Sequence, residues 1–223
     1  QPPFTLLPTI LYEEYSTTRL THQFADAAGN QVTRKYDVPF CPDQSDKERV
    51  VRTIHEFIYA CDDSRLHIND ADRYTKLTEV LGGDLRVTWN AVLDDIQAAD
   101  RLDANFLDHV RRLTSKILPN DSYTLLDDYL RTAKKPYTMD CYTVSGRLTL
   151  LNALSPYLPG SGGTPLFDDA TARKRAFFRL MLPEWQLAFN GSGHTLDDAA
   201  YTYDQLVEYM DQQRLFHNTC SKA

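Results

Sequence analysis

The hydrophobic period of this chain changes between Pro39 and Ser45, and that change limits what it can fold into. Before it, Leu20, His22 and Phe24 alternate with Thr21 and Gln23, and Val32, Arg34, Tyr36 and Val38 repeat the same period of two. The stretch DAAGNQ lies between them. Gly29-Asn30 can take positive φ there, so the segment reads as a β-hairpin that Pro39 and Pro42 end. From Ser45 onward the apolar residues recur every three or four positions, the period of helices packed on a core.

Ser45-Asp46-Lys47-Glu48 reads as a capping box with Ser45 at the N-cap, before a stripe of Val50, Ile54, Phe57, Ile58 and Cys61. A second helix from Asn69 or Asp70 carries Tyr74, Leu77 and Leu81, and Gly82-Gly83 is its expected stop. Asp84 is expected to cap a third helix with Leu85, Trp89, Val92, Leu93 and Ile96. Asp103 is expected to cap a fourth with Phe106, Leu107, Val110, Leu113 and Ile117. Leu118-Pro119-Asn120-Asp121 is a break and the expected domain boundary. Ser122 then caps a short helix through Leu126 and Leu130, with Lys134-Lys135 suiting its C-terminal dipole. Pro136 stops it. The next helix holds Val144, Leu148, Leu151 and Leu154, and SPYLPGSGGTP follows as a loop. Asp168 or Asp169 caps a helix expected to run to Leu182, with Ala176, Phe177, Leu180 and Met181 as its core stripe. Pro183 starts a short helix with Trp185 and Phe189. Thr202-Tyr203-Asp204-Gln205 is a second capping box, before Leu206, Val207 and Met210. The expectation is one hairpin and about nine helices: an all-α architecture of two small lobes.

Across 223 residues the chain is 42% hydrophobic and 25% charged, so it can bury a core unaided. Its net charge of −7 argues against nucleic-acid binding by the chain itself, because phosphate contacts need clustered Lys and Arg. Arg34-Lys35, Arg111-Arg112, Lys134-Lys135 and Arg173-Lys174-Arg175 are short clusters and read as solvated faces or helix ends. The apolar runs are too short to span a bilayer. QPPFTLLPTI has no basic residue before its apolar ones, so it reads as a processed or trimmed end and not a signal peptide. Cys41, Cys61, Cys141 and Cys220 form no CxxC pair and read as reduced, partly buried thiols.

The residues show no catalytic set. His55-Glu56 begins like HExxH, but Tyr59 stands where the second His is needed. LGGD, PGSGG and NGSG lack the Lys-Ser/Thr of a phosphate loop. Ser161 and Ser192 sit among glycines outside any GxSxG elbow. The pairs Asp62-Asp63, Asp94-Asp95, Asp127-Asp128, Asp168-Asp169 and Asp197-Asp198 read as helix-end acids. No catalytic residue, cofactor or metal is expected.

The second lobe resembles the capsid region of Gag polyproteins from LTR retrotransposons and, more distantly, retroviral capsid proteins. The matching pattern begins with Leu118-Pro119 and the helix Tyr123 to Arg131, then Lys135-Pro136, Thr138-Met139, Arg147-Leu148 and Leu151-Asn152. It continues through Tyr157-Leu158-Pro159 and Asp168-Asp169 to Met181-Leu182-Pro183-Glu184-Trp185, and closes with Thr202 and Leu206 through Met210. The first lobe fits the family's amino-terminal domain by helix count and by its hairpin. The resemblance implies an arm and hairpin over 1–44, an amino-terminal capsid domain over 45–118 and a carboxy-terminal one over 119–223. Arg147 could hold the Arg place of the retroviral polar signature, but Met139 stands where that signature has Glu. No zinc knuckle follows, so any RNA-binding part is absent from this chain or lies beyond Ala223.

The implied function is structural. Many copies, in hexamers, pentamers and two-fold contacts, would form intracellular virus-like particles in the cytoplasm around RNA, with no membrane partner. The alternative is a monomeric helical adaptor for protein partners. In the resembling capsids the helix equivalent to Ala172–Leu182 makes the two-fold contact. Phe178 and Leu182, four apart beside the core stripe and flanked by Arg175 and Arg179, are the expected self-association residues.

Overall fold

The computed structural model describes residues 1–8, 15–63 and 65–220, with side chains through 216. It divides into two compact units. One, the hairpin unit, is formed by Pro8–Asn120 with Tyr157–Gly163; the other, the carboxy-terminal unit, by Gln1–Leu7, Asp121–Pro156 and Thr164–Ala223. The described residues hold nine α-helices and one antiparallel hairpin, so the chain is mostly helical.

The hairpin joins β1 (Thr17–Ala25) to β2 (Gln31–Pro39), with Leu20 opposite Tyr36 and Phe24 opposite Val32. Asp26 organises its turn: Oδ1 accepts from the backbone N–H of Ala28 at 2.9 Å and of Asn30 at 2.8 Å. Only Gly29 there takes positive φ, at +83°. Leu20, His22 and Val38 are buried. The helices of this unit are α1 (Lys47–Cys61), α2 (Asp70–Val80), α3 (Gly83–Asp94) and α4 (Asp103–Ile117).

Four local expectations are corrected by the structure. Asp46, not Ser45, is the N-cap of α1 and accepts from the Arg49 N–H at 3.1 Å, which leaves the capping box one residue out of register. Helix α2 stops at Leu81 without using the glycines. Gly82 and Gly83 are needed for close approach: a Cβ on either would lie 2.7 and 2.8 Å from the Pro42 carbonyl, because Cys41 bridges to Leu81 there. The N-caps of α3 and α4 are Gly82 and Leu102, not Asp84 and Asp103. Asp103 and Asp70 instead each accept the other's backbone N–H, at 2.7 and 2.8 Å, tying the starts of α2 and α4 together.

The core of this unit is aromatic. Tyr74 stacks on Trp89 with centroids 6.1 Å apart and meets Phe106 edge-on at 4.9 Å. The Trp89 indole N–H donates to the Tyr74 carbonyl at 3.3 Å, and Tyr74 Oη lies 2.7 Å from His109 Nδ1. The Gly-rich loop Tyr157–Gly163 also belongs here. Tyr157 and Leu158 are buried, Thr114 Oγ1 donates to the Tyr157 carbonyl at 2.7 Å, and Tyr157 Oη lies 3.1 Å from His55 Nδ1. Composition marked that loop as turn; its apolar Tyr-Leu-Pro makes it core.

The carboxy-terminal unit contains α5 (Ser122–Thr132), α6 (Cys141–Leu154), α7 (Ala170–Leu180), α8 (Pro183–Gly191) and α9 (Tyr203–Cys220). Helix α9 packs against α6, α7 and α8, and α5 packs against α7. Asp140 and Asp169 cap α6 and α7 through the N–H groups of Thr143 at 2.7 Å and Ala172 at 2.6 Å. Asp121 takes the N-cap position of α5 where Ser122 was expected. Thr202 and Gln205 form the expected reciprocal box, at 3.2 and 2.7 Å. Val144, Leu148, Leu151, Leu154, Phe177, Leu206 and Met210 form the middle of this core.

Among the described residues no helix is long and apolar enough to cross a membrane.

Candidate self-association surface

The Lys-Lys-Pro stretch positions one end of this surface. Helix α5 is already over at Thr132, so the lysines do not serve its dipole. They clamp α7 instead. The Lys134 ammonium donates to the Arg179 carbonyl at 2.8 Å, and the Lys135 backbone N–H donates to the Leu180 carbonyl at 2.7 Å. Both acceptors are terminal carbonyls of α7, which have no partner within the helix. Lys135 Nζ also donates to the Pro136 and Met139 carbonyls and sits 5.8 Å from the centre of the Trp185 ring. Burial lowers its pKa from the usual lysine value.

Helix α7 ends two residues earlier than expected. Met181 is extended, with ψ of 161°, and Leu182 is the N-cap of α8. Phe178 and Leu182 therefore do not form an i, i+4 line on one helix. Phe178 is half-buried, with its ring 5.4 Å from Phe189 in an edge contact that makes it the rim of a cluster with Tyr201 and Tyr209. Arg175 is exposed and pairs with Asp197 at 2.6 Å. Arg179 is exposed. Leu182 lines a cleft of about 570 Å³ with Lys135, Tyr137, Met139, Trp185 and Arg214.

The unit leaves large apolar side chains uncovered: Tyr137, which lines this cleft, and Tyr142, Leu187, Leu215 and Phe216, with Tyr137 95% and Phe216 70% exposed. The helical stripe assigned by sequence missed them because it tracks the core face only. Their signal was present as apolar residues off the period, as at Leu187 beside Trp185.

The burial and the partners of two cations in this unit were also not read from the sequence. Lys174, 2% exposed, donates to the carbonyls of Asp198 at 2.8 Å and Tyr201 at 2.9 Å, fixing the loop before α9. Arg147, 7% exposed, donates through Nε and Nη2 to the Thr5 carbonyl at 3.0 and 2.6 Å. The residue that matches the Arg place of the retroviral signature thus holds the amino-terminal segment.

The remaining candidates have local roles. Asp62 pairs with Arg73 at 3.2 Å, Asp63 with Arg65 at 2.6 Å and Asp127 with Arg131 at 2.8 Å. Among the described residues no group of three or more His, Cys, Asp or Glu could hold a metal ion. Cys41, Cys61 and Cys141 are buried free thiols, and burial raises them to about 11, 12 and 12, so they are protonated at neutral pH. Cys220 lies outside the described side chains. No family model, curated protein or solved structure matches this chain.

Proposed function

We propose that this chain is the structural capsid protein of a retrotransposon or of a domesticated retroelement, and that its function is to assemble copies of itself into a shell that packages RNA. The observation that carries this reading is the set of large apolar side chains left uncovered on the carboxy-terminal unit. Where such side chains lie together they make an interaction site or a liability. The hairpin followed by helices, and the Lys-Pro, Leu-Pro-x-x-Trp and capped-helix pattern, support the same reading through the resemblance.

The self-association surface runs over Arg175, Phe178, Arg179 and Leu182. Phe178 also serves its own lobe through Phe189, so it is a poor residue on which to test the contact. Arg179 and Leu182 are better, because one is exposed and the other lines the cleft. Arg179→Glu with Leu182→Asp is expected to abolish particles seen by electron microscopy while the circular dichroism stays that of the unmodified chain. Intact particles would sink the proposed surface. In this proposal RNA is contacted only through a segment not in this chain, and the particles are cytoplasmic.

A second reading, a helical adaptor, is favoured by the cleft beside Trp185, which sets Tyr137, Met139 and Leu182 among the charged Lys135, Asp140 and Arg214 and so suits a protein ligand. An adaptor stays monomeric when concentrated, which separates the two readings.

A further inference from the structure

The amino-terminal segment Gln1–Leu7 has no regular secondary structure, yet it belongs to the carboxy-terminal unit, while the chain that follows it from Pro8 belongs to the hairpin unit. It is held as an extended ligand would be. Phe4 and Leu6, two apart, are 2% and 1% exposed. The main chain around Thr5 is read by hydrogen bonds. Arg147 of α6 donates twice to the Thr5 carbonyl, and the Leu6 N–H donates to Tyr129 Oη of α5 at 3.1 Å. Alternate side chains in apolar sites and main-chain bonds between them are how an extended peptide is recognised. These three hydrogen bonds all come from residues more than 120 positions away in sequence.

We propose that this arm is exchangeable, and that its site on the carboxy-terminal unit, anchored by Tyr129 of α5 and Arg147 of α6, accepts the same segment of a second copy. Exchange conserves every contact, since the arm and its site are identical in both copies, which makes swapping an inexpensive route to linked chains. Within one chain the arm has a local concentration in the millimolar range, so a dilute second copy does not displace it. Where copies are crowded, the neighbour's arm competes on equal terms. The inference concerns pairs of chains and holds whether or not a closed shell forms.

Two full-length variants test it by complementation. Phe4→Ala with Leu6→Ala leaves the site intact and disables the arm. Tyr129→Phe with Arg147→Met leaves the arm intact and removes its three hydrogen bonds. Two crossings are possible in the mixture, and only the intact arm entering the intact site gives a stable link. A one-to-one complex is therefore expected by native mass spectrometry in the mixture and in neither variant alone. A mixture that stays monomeric, with both variants melting cooperatively, overturns the proposal. A labelled peptide QPPFTLLP gives a second readout. It is expected to bind the Phe4→Ala, Leu6→Ala chain at least about tenfold more tightly than the unmodified chain, because the resident arm occupies most sites. Should either variant fail to fold, the peptide is titrated to millimolar concentration against the unmodified chain. Saturable binding that the doubly alanine-substituted peptide lacks supports exchange, and no saturable binding refutes it.

Discussion

The two units satisfy their buried polar groups in different ways. In the hairpin unit the partners come from regular elements. Arg73 reaches Asp62 at the end of α1 and Asp103 at the start of α4, at 3.2 and 3.1 Å, and Tyr74 meets His109 across α2 and α4. In the carboxy-terminal unit, the buried cations Lys174 and Arg147 are held by main-chain carbonyls of segments without regular structure. Charge paired between helices fixes how they pack. A cation on a loop or arm carbonyl fixes a segment that has no regular structure of its own. The carboxy-terminal unit also leaves more large apolar side chains uncovered, Tyr137, Tyr142, Leu187, Leu215 and Phe216 among them, against Tyr36, Tyr59, Val87 and Leu102 in the hairpin unit. The carboxy-terminal unit is therefore the one proposed above to meet a neighbour.

The largest effect is expected in the hairpin unit. Trp89→Ala removes a fully buried ring that stacks on Tyr74, and is expected to cost about 3–5 kcal/mol in denaturant unfolding. A loss below about 1 kcal/mol would mean that the aromatic cluster does not hold this unit together.

Acid should separate the units next. Burial lowers the pKa of both His55 and His109, each bonded to a buried tyrosine, in the hairpin unit. A histidine with a lowered folded value contributes stability that is present above its ordinary 6.5 and is lost as pH falls through the folded value. In the carboxy-terminal unit, Asp211 is depressed by its bonds to Arg214 and to the Cys141 N–H at the start of α6. Its contribution persists above 3.8 and is lost only below that. The chain's two tryptophans, Trp89 and Trp185, lie in different units. Trp185→Phe then reports on the hairpin unit by fluorescence and Trp89→Phe on the other. Lowering the pH from 7 to 5 should reduce the urea midpoint of the first reporter and leave the second nearly constant. Equal loss in both would contradict the assignment.

Leu215→Asp with Phe216→Asp should shift stability by no more than about 0.5 kcal/mol, because both residues are exposed. The same change should weaken self-association at least tenfold in sedimentation velocity. Unchanged association would remove this end of α9 from the contact. The smallest effect is expected with RNA: a chain of net charge −7 should bind single strands weakly and lose them by moderate salt, measured by fluorescence anisotropy.

The sequence was most legible where one local rule decides the outcome. The switch from period two to the helical period marked the hairpin and the helices, and Thr202-Gln205 closed its box as read. It was least legible where a distant segment competes. Nothing local to Lys134 and Lys135 says that their acceptors are the last carbonyls of α7. Gly82-Gly83 looked like a helix stop because close approach of Pro42 cannot be read from neighbours in the chain. The expected line from Phe178 to Leu182 failed because Pro183 forces extended backbone on Leu182, and α7 ends before it, at Leu180. Arg147 was singled out for its place in a pattern, but its partner at Thr5 lies 142 residues away.

The central claim, that this chain's uncovered apolar surface exists to join copies into a shell, is tested most directly by concentrating the unmodified chain and imaging it by cryo-electron microscopy. The account predicts closed particles whose repeating contacts fall on the carboxy-terminal unit. A chain that remains monomeric at every concentration and ionic strength would contradict it.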